Sequence, residues 1–291
     1  MNVRTILFLA IVAISNLAFA QAKLVSTDWL AENAKDTSIV LVDMSDSLQY
    51  QRFHLPGAIN LPYDYLVQDR KKVSLSVDQQ KLIKLLGQIG ISRNSYVIAY
   101  DDTGGLHASR LLWELEQLHH PKMALLDGGL VKWIREGRSV SAHPPVIKPT
   151  VYKADKSDRA ATAGLQDVAP DSRNKSTLLL DVRTDEEYMG NPRYPRSGHI
   201  PGAKWWQWDQ ALDIDNGFSI RQSDDLLKEL TGVGLSDKKQ PVVVYCRSGH
   251  RAAHTYFTLK HLGFENVRLY DGSMKEYEQH KALPLTKGKN P

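Results

Sequence analysis

The chain contains one long internal repeat, and that repeat limits what it can fold into. His54-Leu-Pro-Gly-Ala58 returns about 145 positions later as His199-Ile-Pro-Gly-Ala203. At a similar offset Ile39–Asp43 returns as the apolar run ending at Asp181, Tyr96–Tyr100 as Val242–Tyr245, and Leu126-Asp-Gly-Gly129 as Tyr270-Asp-Gly-Ser273. A period this long marks a duplicated domain rather than a solenoid. Each half alternates short apolar strands with helical stretches. Ala108, Leu111, Leu112, Leu115 and Leu118, for example, fall on one helical face. The expected fold is α/β, with two tandem domains, each a mainly parallel sheet flanked by helices. Domain bounds follow as 24–141 and 151–287, with Ala142–Thr150 between them as a stiff Pro-rich linker. The polar stretch 155–176 is expected to hold some helix leading into the second sheet.

Residues 1–20 stand apart from both halves. Arg4, the apolar run Ile6–Ile14 and Ala18-Phe19-Ala20 have the form of a secretory signal peptide cleaved after Ala20. The expected location is periplasmic or secreted. An uncleaved anchor is the alternative, weakened by the shortness of the apolar run. No later segment is apolar enough to cross a membrane. The 291 residues carry a net charge of +4 and no long basic run, which argues against nucleic-acid binding.

Cysteine usage singles out one stretch. Cys246 is the only cysteine, so no internal disulfide is possible. It follows the β-branched run Val242–Val244 and precedes a helical pattern through Ala252, Ala253, Tyr256, Phe257 and Leu259, closed by Gly263. A tight loop entering a helix points free backbone N–H groups inward, and the helix dipole adds positive potential. A sulfur placed there sits in a field that favours an anion, and Arg247 and Arg251 add charge of the same sign. Ser248, Gly249 and His250 complete the loop, with Gly249 suited to a turn at positive φ. Cys246 is therefore the candidate nucleophile, and Arg247, Ser248, Gly249, His250 and Arg251 are the candidate binding residues.

The surrounding residues allow several readings. Asp181, at a strand end, is expected to pair with Arg251 and orient it. Arg183 and Glu187, four apart, are expected to form a local ion pair. His250 either tunes Cys246, meets the donor, or faces solvent. His54 and His199, at equivalent repeat positions, read as structural. Trp205, Trp206 and Trp208 read as core and interface packing, or as a wall of the active pocket. The ten histidines show no metal-ligand spacing, and no metal or organic cofactor is expected. Opposite Cys246 in the first half stands Asp101, and opposite Arg251 stands Leu106. That acidic loop lacks a nucleophile and would repel an anion, so the first domain is expected to be non-catalytic.

Taken together, the motifs resemble a known family. Val25-Ser-Thr-Asp-Trp-Leu30, Pro56-Gly-Ala58, Tyr100-Asp101, Asp127-Gly-Gly129 with Trp133, Gly198–Ala203, the Cys246 loop and Asp271-Gly-Ser273 follow the order seen in the two-domain rhodaneses. These are thiosulfate and 3-mercaptopyruvate sulfurtransferases, and the resemblance is to an exported bacterial type. It implies an inactive first domain and a persulfide formed on Cys246 in the second. It also implies a small anionic sulfur donor, a thiophilic acceptor such as cyanide or a thiol, and a monomer. The chain departs from the family in three places. Cys246-Arg-Ser-Gly249 mixes the thiosulfate-type and mercaptopyruvate-type loops. Glu187 stands where animal-type thiosulfate enzymes carry an arginine. Met274 stands where an aromatic often follows Asp-Gly-Ser. Two rival functions remain: a non-enzymatic persulfide carrier, which would use the same residues, and a Cdc25-like cysteine phosphatase. The phosphatase needs an arginine six residues after the cysteine, where this chain has Ala252.

Overall fold

The structure, a computed structural model, describes residues 22–154 and 158–291. The expected signal segment and residues 155–157 lie outside the described residues. In the first half the strands are β1 (Lys23–Val25), β2 (Ile39–Asp43), β3 (Ile59–Asn60), β4 (Val67–Arg70), β5 (Val73–Ser76), β6 (Tyr96–Tyr100) and β7 (Met123–Leu126). The second half supplies β8 (Thr162–Ala163), β9 (Leu178–Asp181), β10 (Lys204–Trp205), β11 (Leu212–Asp213), β12 (Ser219–Ile220), β13 (Val242–Tyr245) and β14 (Val267–Tyr270). The helices are α1 (Thr27–Glu32), α2 (Ser47–Arg52), α3 (Gln79–Gln88), α4 (Ala108–Gln117) and α5 (Gly129–Arg135), then α6 (Asp185–Met189), α7 (Ser223–Gly232), α8 (His250–His261) and α9 (Ser273–Tyr277).

The two five-stranded sheets have the same order, β1-β7-β6-β2-β3 and β8-β14-β13-β9-β10. Every pairing within them is parallel. Parallel sheets need both faces covered, which explains why β13, Val-Val-Val-Tyr, is buried along its whole length. Each half adds a small antiparallel hairpin, β4–β5 or β11–β12. The tandem α/β expectation holds. The expected helix in 155–176 reduces, in its described part, to one 3-10 turn, Leu165–Asp167, beside the short β8. Gly164 caps that turn and Pro170 follows it closely, so a longer helix has no room to propagate. Residues 142–150 form neither helix nor strand. Thr150 anchors their end, its N–H donating to Gly87 O at 2.8 Å and its hydroxyl to Ile91 O at 2.8 Å.

Helix α4 buries the expected apolar face and most of the opposite one as well. The second face packs on α8 of the other domain. Trp113 of α4 joins the core cluster of the second half, and Phe257 of α8 joins that of the first. Burying a large aromatic is worth a few kcal/mol each way, so the two domains share their cores rather than merely touch.

Candidate active site

Cys246 stands directly after β13 and is 1% exposed. The chain turns into α8 within four residues because Gly249 takes φ 76°. A side chain there would be strained, and its Cβ would lie 2.7 Å from Asp271 Oδ1 and 2.9 Å from Arg110 Nη1. Ser273, buried and itself at positive φ, ties the loop from below. Its hydroxyl accepts from the N–H groups of Cys246 and Gly249, each at 3.1 Å, and donates to Tyr270 O at 2.7 Å. The Gly249 amide is therefore already engaged. The N–H groups of Ser248, His250, Arg251 and Ala252 engage no acceptor among the described residues. They form the open part of an anion cup at the start of α8.

The equivalent loop of the first domain has its cup already filled. The Asp101 carboxylate accepts from the backbone N–H groups of Thr103, Gly105, His107 and Ala108 at 2.7–2.9 Å. The donors of this loop are consumed by an internal carboxylate, which leaves them unavailable to an outside anion. The helix registers also correct the sequence alignment. Ser109 N–H donates to Gly105 O as Ala253 N–H does to Gly249 O, so Gly105 stands opposite Gly249. The first loop is one residue longer, and Arg251 stands opposite His107 rather than Leu106.

The expected charge pairs rearrange. Asp181 does not pair with Arg251. Its carboxylate is held by Arg183, with Nη2 at 2.6 Å and Nε at 2.9 Å. Arg251 instead meets Glu187 in a two-pronged pair at 2.6 and 3.0 Å, so the expected Arg183–Glu187 pair does not form either. Arg183 folds back on the strand end two residues before it, which leaves Glu187, at the N-terminus of α6, facing α8. Burial pushes the Glu187 carboxyl up, but the hydrogen bonds and charge of Arg251 pull it below the usual glutamate value. Arg247 is half exposed, with a loose 3.7 Å approach to Glu278.

The first domain reaches this loop, which the sequence reading missed. Arg110 and Asp271, 161 residues apart, form a buried 2.7 Å ion pair under Gly249. Ser76 N–H donates to the other Asp271 oxygen at 2.8 Å. Glu114 accepts from Arg110 Nε and from Ser76 Oγ, closing the network. His250 is half-buried and turned toward the first domain. It stacks on Tyr63 at 3.9 Å, and its Nε2 lies 3.1 Å from His107 Nδ1. Burial, with the charges of His107, Arg110 and Arg251, pushes His250 down to about 3, so it is neutral. Nothing in a one-dimensional pattern marks Tyr63, Ser76 or Arg110, because each acts across the domain interface.

His54 and His199 are structural, as expected. Each is buried and stacks on a tyrosine, Tyr50 or Tyr188, whose carbonyl is hydrogen-bonded to its Nδ1. Trp206 is buried in the second core, Trp205 Nε1 donates to Arg183 O, and Trp208 packs edge-on against His254. A groove of about 520 Å³ lies away from Cys246 and is lined only by first-domain residues, among them Leu30, Leu41, Leu55 and Trp133. Among the described residues no cluster of His, Cys, Asp or Glu is placed to hold a metal ion.

The rhodanese-like domain family matches this chain twice, over residues 26–136 and 165–280. The chain is 33% identical to the thiosulfate sulfurtransferase of Corynebacterium glutamicum, covering 92% of this chain and 91% of that one. It is 32% identical to the sulfur carrier protein TtuD of Thermus thermophilus, over 91% and 96% of the two chains. The solved 3-mercaptopyruvate sulfurtransferase SseA of Escherichia coli shares the fold, with a TM-score of 0.77, 24% identity, and coverage of 87% of this chain and 99% of that one. With two matched domains and a single cysteine at the head of the second domain's helix, the chain belongs to the rhodanese family in its tandem, two-domain form.

Proposed function

We propose that this protein is a sulfurtransferase that moves a sulfane sulfur from thiosulfate, or a related donor such as 3-mercaptopyruvate, to a thiophilic acceptor. The observation that carries this reading is the pairing of two loops. One holds an anion of its own, Asp101, in its N–H cup, and the other offers a comparable cup beside a free thiol, Cys246. Relatives named thiosulfate sulfurtransferase support the choice of donor.

The Cys246 thiolate attacks the outer sulfur of thiosulfate. A bond forms from Sγ to that sulfur, the sulfur–sulfur bond of thiosulfate breaks, and its electron pair leaves with sulfite. The terminal persulfide sulfur carries negative charge into the open N–H groups of Ser248, His250, Arg251 and Ala252. Arg251 and Arg247 face the oxyanion side, with Arg251 held in orientation by Glu187. Cyanide or a thiolate then attacks the terminal sulfur and restores the thiolate, which gives ping-pong kinetics.

The test is steady-state transfer from thiosulfate and from mercaptopyruvate to cyanide and to thiols, with Cys246→Ser as the blank. Parallel-line kinetics lost in that variant support the reading, and transfer that survives Cys246→Ser rejects it. A second reading is favoured by the similarity to a sulfur carrier: Cys246 is loaded by one protein and unloaded by another, without small-molecule turnover. Persulfide formation with no measurable turnover on small acceptors would select it. We further propose that the protein is exported after removal of residues 1–20 and acts as a monomer.

A further inference from the structure

We propose that Tyr63 is the first domain's catalytic contribution: its hydroxyl donates a hydrogen bond to the terminal sulfur of the Cys246 persulfide. The proposal rests on the sulfurtransferase reading above and goes beyond it, since that reading draws every reacting group from the second domain.

Tyr63 opens the 3-10 turn Tyr63–Leu66, directly after Pro62. Its ring lies nearly flat on His250, the first residue of α8, with centroids 3.9 Å apart and planes 25° apart. His107 meets the same ring edge-on and is hydrogen-bonded to His250. Two histidine rings thus fix Tyr63 against the Cys246 loop. The hydroxyl at the end of this ring is withdrawn from water and has no hydrogen-bond partner. Among the described residues Tyr270, at the end of β14, also has a buried hydroxyl without a partner, whereas several other tyrosines are paired. Tyr50, Tyr188 and Tyr277 donate to carbonyls, and Tyr100 and Tyr245 accept from backbone N–H groups.

An unpaired buried hydroxyl is unfavourable in the resting protein, and phenylalanine would fill the same space without that cost. A polar group left unpaired at rest and satisfied at a later step stabilises that step selectively. Its neighbourhood points to which step. The hydroxyl feels the charges of Arg110, Cys246 and Asp271, and burial together with negative charge at Cys246 keeps it protonated, so it stays a donor. Arg110 is engaged by Asp271, Glu114 and Ser76 and is not available for that task. Loading adds one sulfur about 2 Å beyond Sγ and moves the negative charge out to it. The hydroxyl then gains the acceptor it lacks at rest.

The experiment uses Tyr63→Phe in the full chain. The loaded fraction of Cys246 is measured by intact mass, as the gain of one sulfur atom, at fixed ratios of thiosulfate to sulfite. Urea unfolding of the unloaded protein is measured alongside. The loading equilibrium is expected to fall about tenfold, the size of one lost hydrogen bond to a charged group, while the unloaded protein keeps or gains stability. An unchanged loading equilibrium overturns the role of Tyr63. So does a loss of resting stability in the unloaded variant, which would make the hydroxyl structural. Wild-type protein that takes no sulfur from thiosulfate at any ratio overturns the thiosulfate reading and this inference with it. Normal wild-type loading matched by the variant overturns this inference alone.

Discussion

Arg110 of the first domain and Asp271 of the second meet at 2.7 Å beneath Gly249, so the floor of the Cys246 loop is an ion pair between domains. Removing one partner leaves the other charge buried and unpaired. Arg110→Met is expected to cost about 3–5 kcal/mol in urea unfolding and to lower sulfur transfer, because Ser76 and Asp271 lose their shared anchor. Asp271→Asn on the same background should cost less than it does alone. Additive losses would show that the pair is not coupled.

Arg251 is held to Glu187 by two hydrogen bonds, whereas Arg247 is half exposed. Arg251→Ala is expected to lower kcat/KM for thiosulfate about ten- to a hundredfold, and Arg247→Ala less. Glu187→Gln keeps a hydrogen-bonding group but removes the opposing charge, so KM for thiosulfate should fall. Donor kinetics that are equal in all three variants would falsify an anion-binding role for these arginines.

Asp101 fills the first domain's cup and takes no part in the proposed chemistry. Asp101→Ala leaves the N–H groups of Thr103, Gly105, His107 and Ala108 without their acceptor. Stability is expected to drop by about 3 kcal/mol, while transfer per folded molecule stays within a few-fold of wild type. A kinetic loss matching that of Cys246→Ser would instead place Asp101 in the reaction.

His254 is buried on the first domain's Gly104 carbonyl, and burial pushes its pKa down to about 4, against the partial opposition of Asp101. The unfolded chain takes up this proton near pH 6.5 and the folded chain near 4. The stability His254 supplies is therefore intact above pH 6.5 and is lost as pH falls toward 4, at about 1.4 kcal/mol per pH unit. His254→Gln should flatten the decline between pH 7 and 5 by about 2 kcal/mol in urea titrations. Equal slopes in the two proteins would mean that His254 titrates normally in the fold.

Export is tested by N-terminal sequencing of the protein recovered outside the cytoplasm. The motif Ala18-Phe19-Ala20 predicts a mature start at Gln21. Recovery of Met1 on the mature protein rejects that cleavage.

Local residue pattern was enough to reveal the repeat, the two parallel sheets, the position of Cys246 and the turn at Gly249. Those features depend on residue type at nearby positions: a β-branched run, a glycine that permits positive φ, and a helix start. It also identified His54 and His199 as structural, because the repeat places one of them in the half without a nucleophile. The charge pairs depend instead on how the helices pack. Asp181, Arg183, Glu187 and Arg251 allow two pairings by spacing, and the placement of α6 against α8 selects Arg251 with Glu187. Tyr63, Ser76, His107 and Arg110 join the site for the same reason. They reach it across an interface of shared cores, and a long-range contact of that kind is set by packing geometry, which local sequence pattern does not encode.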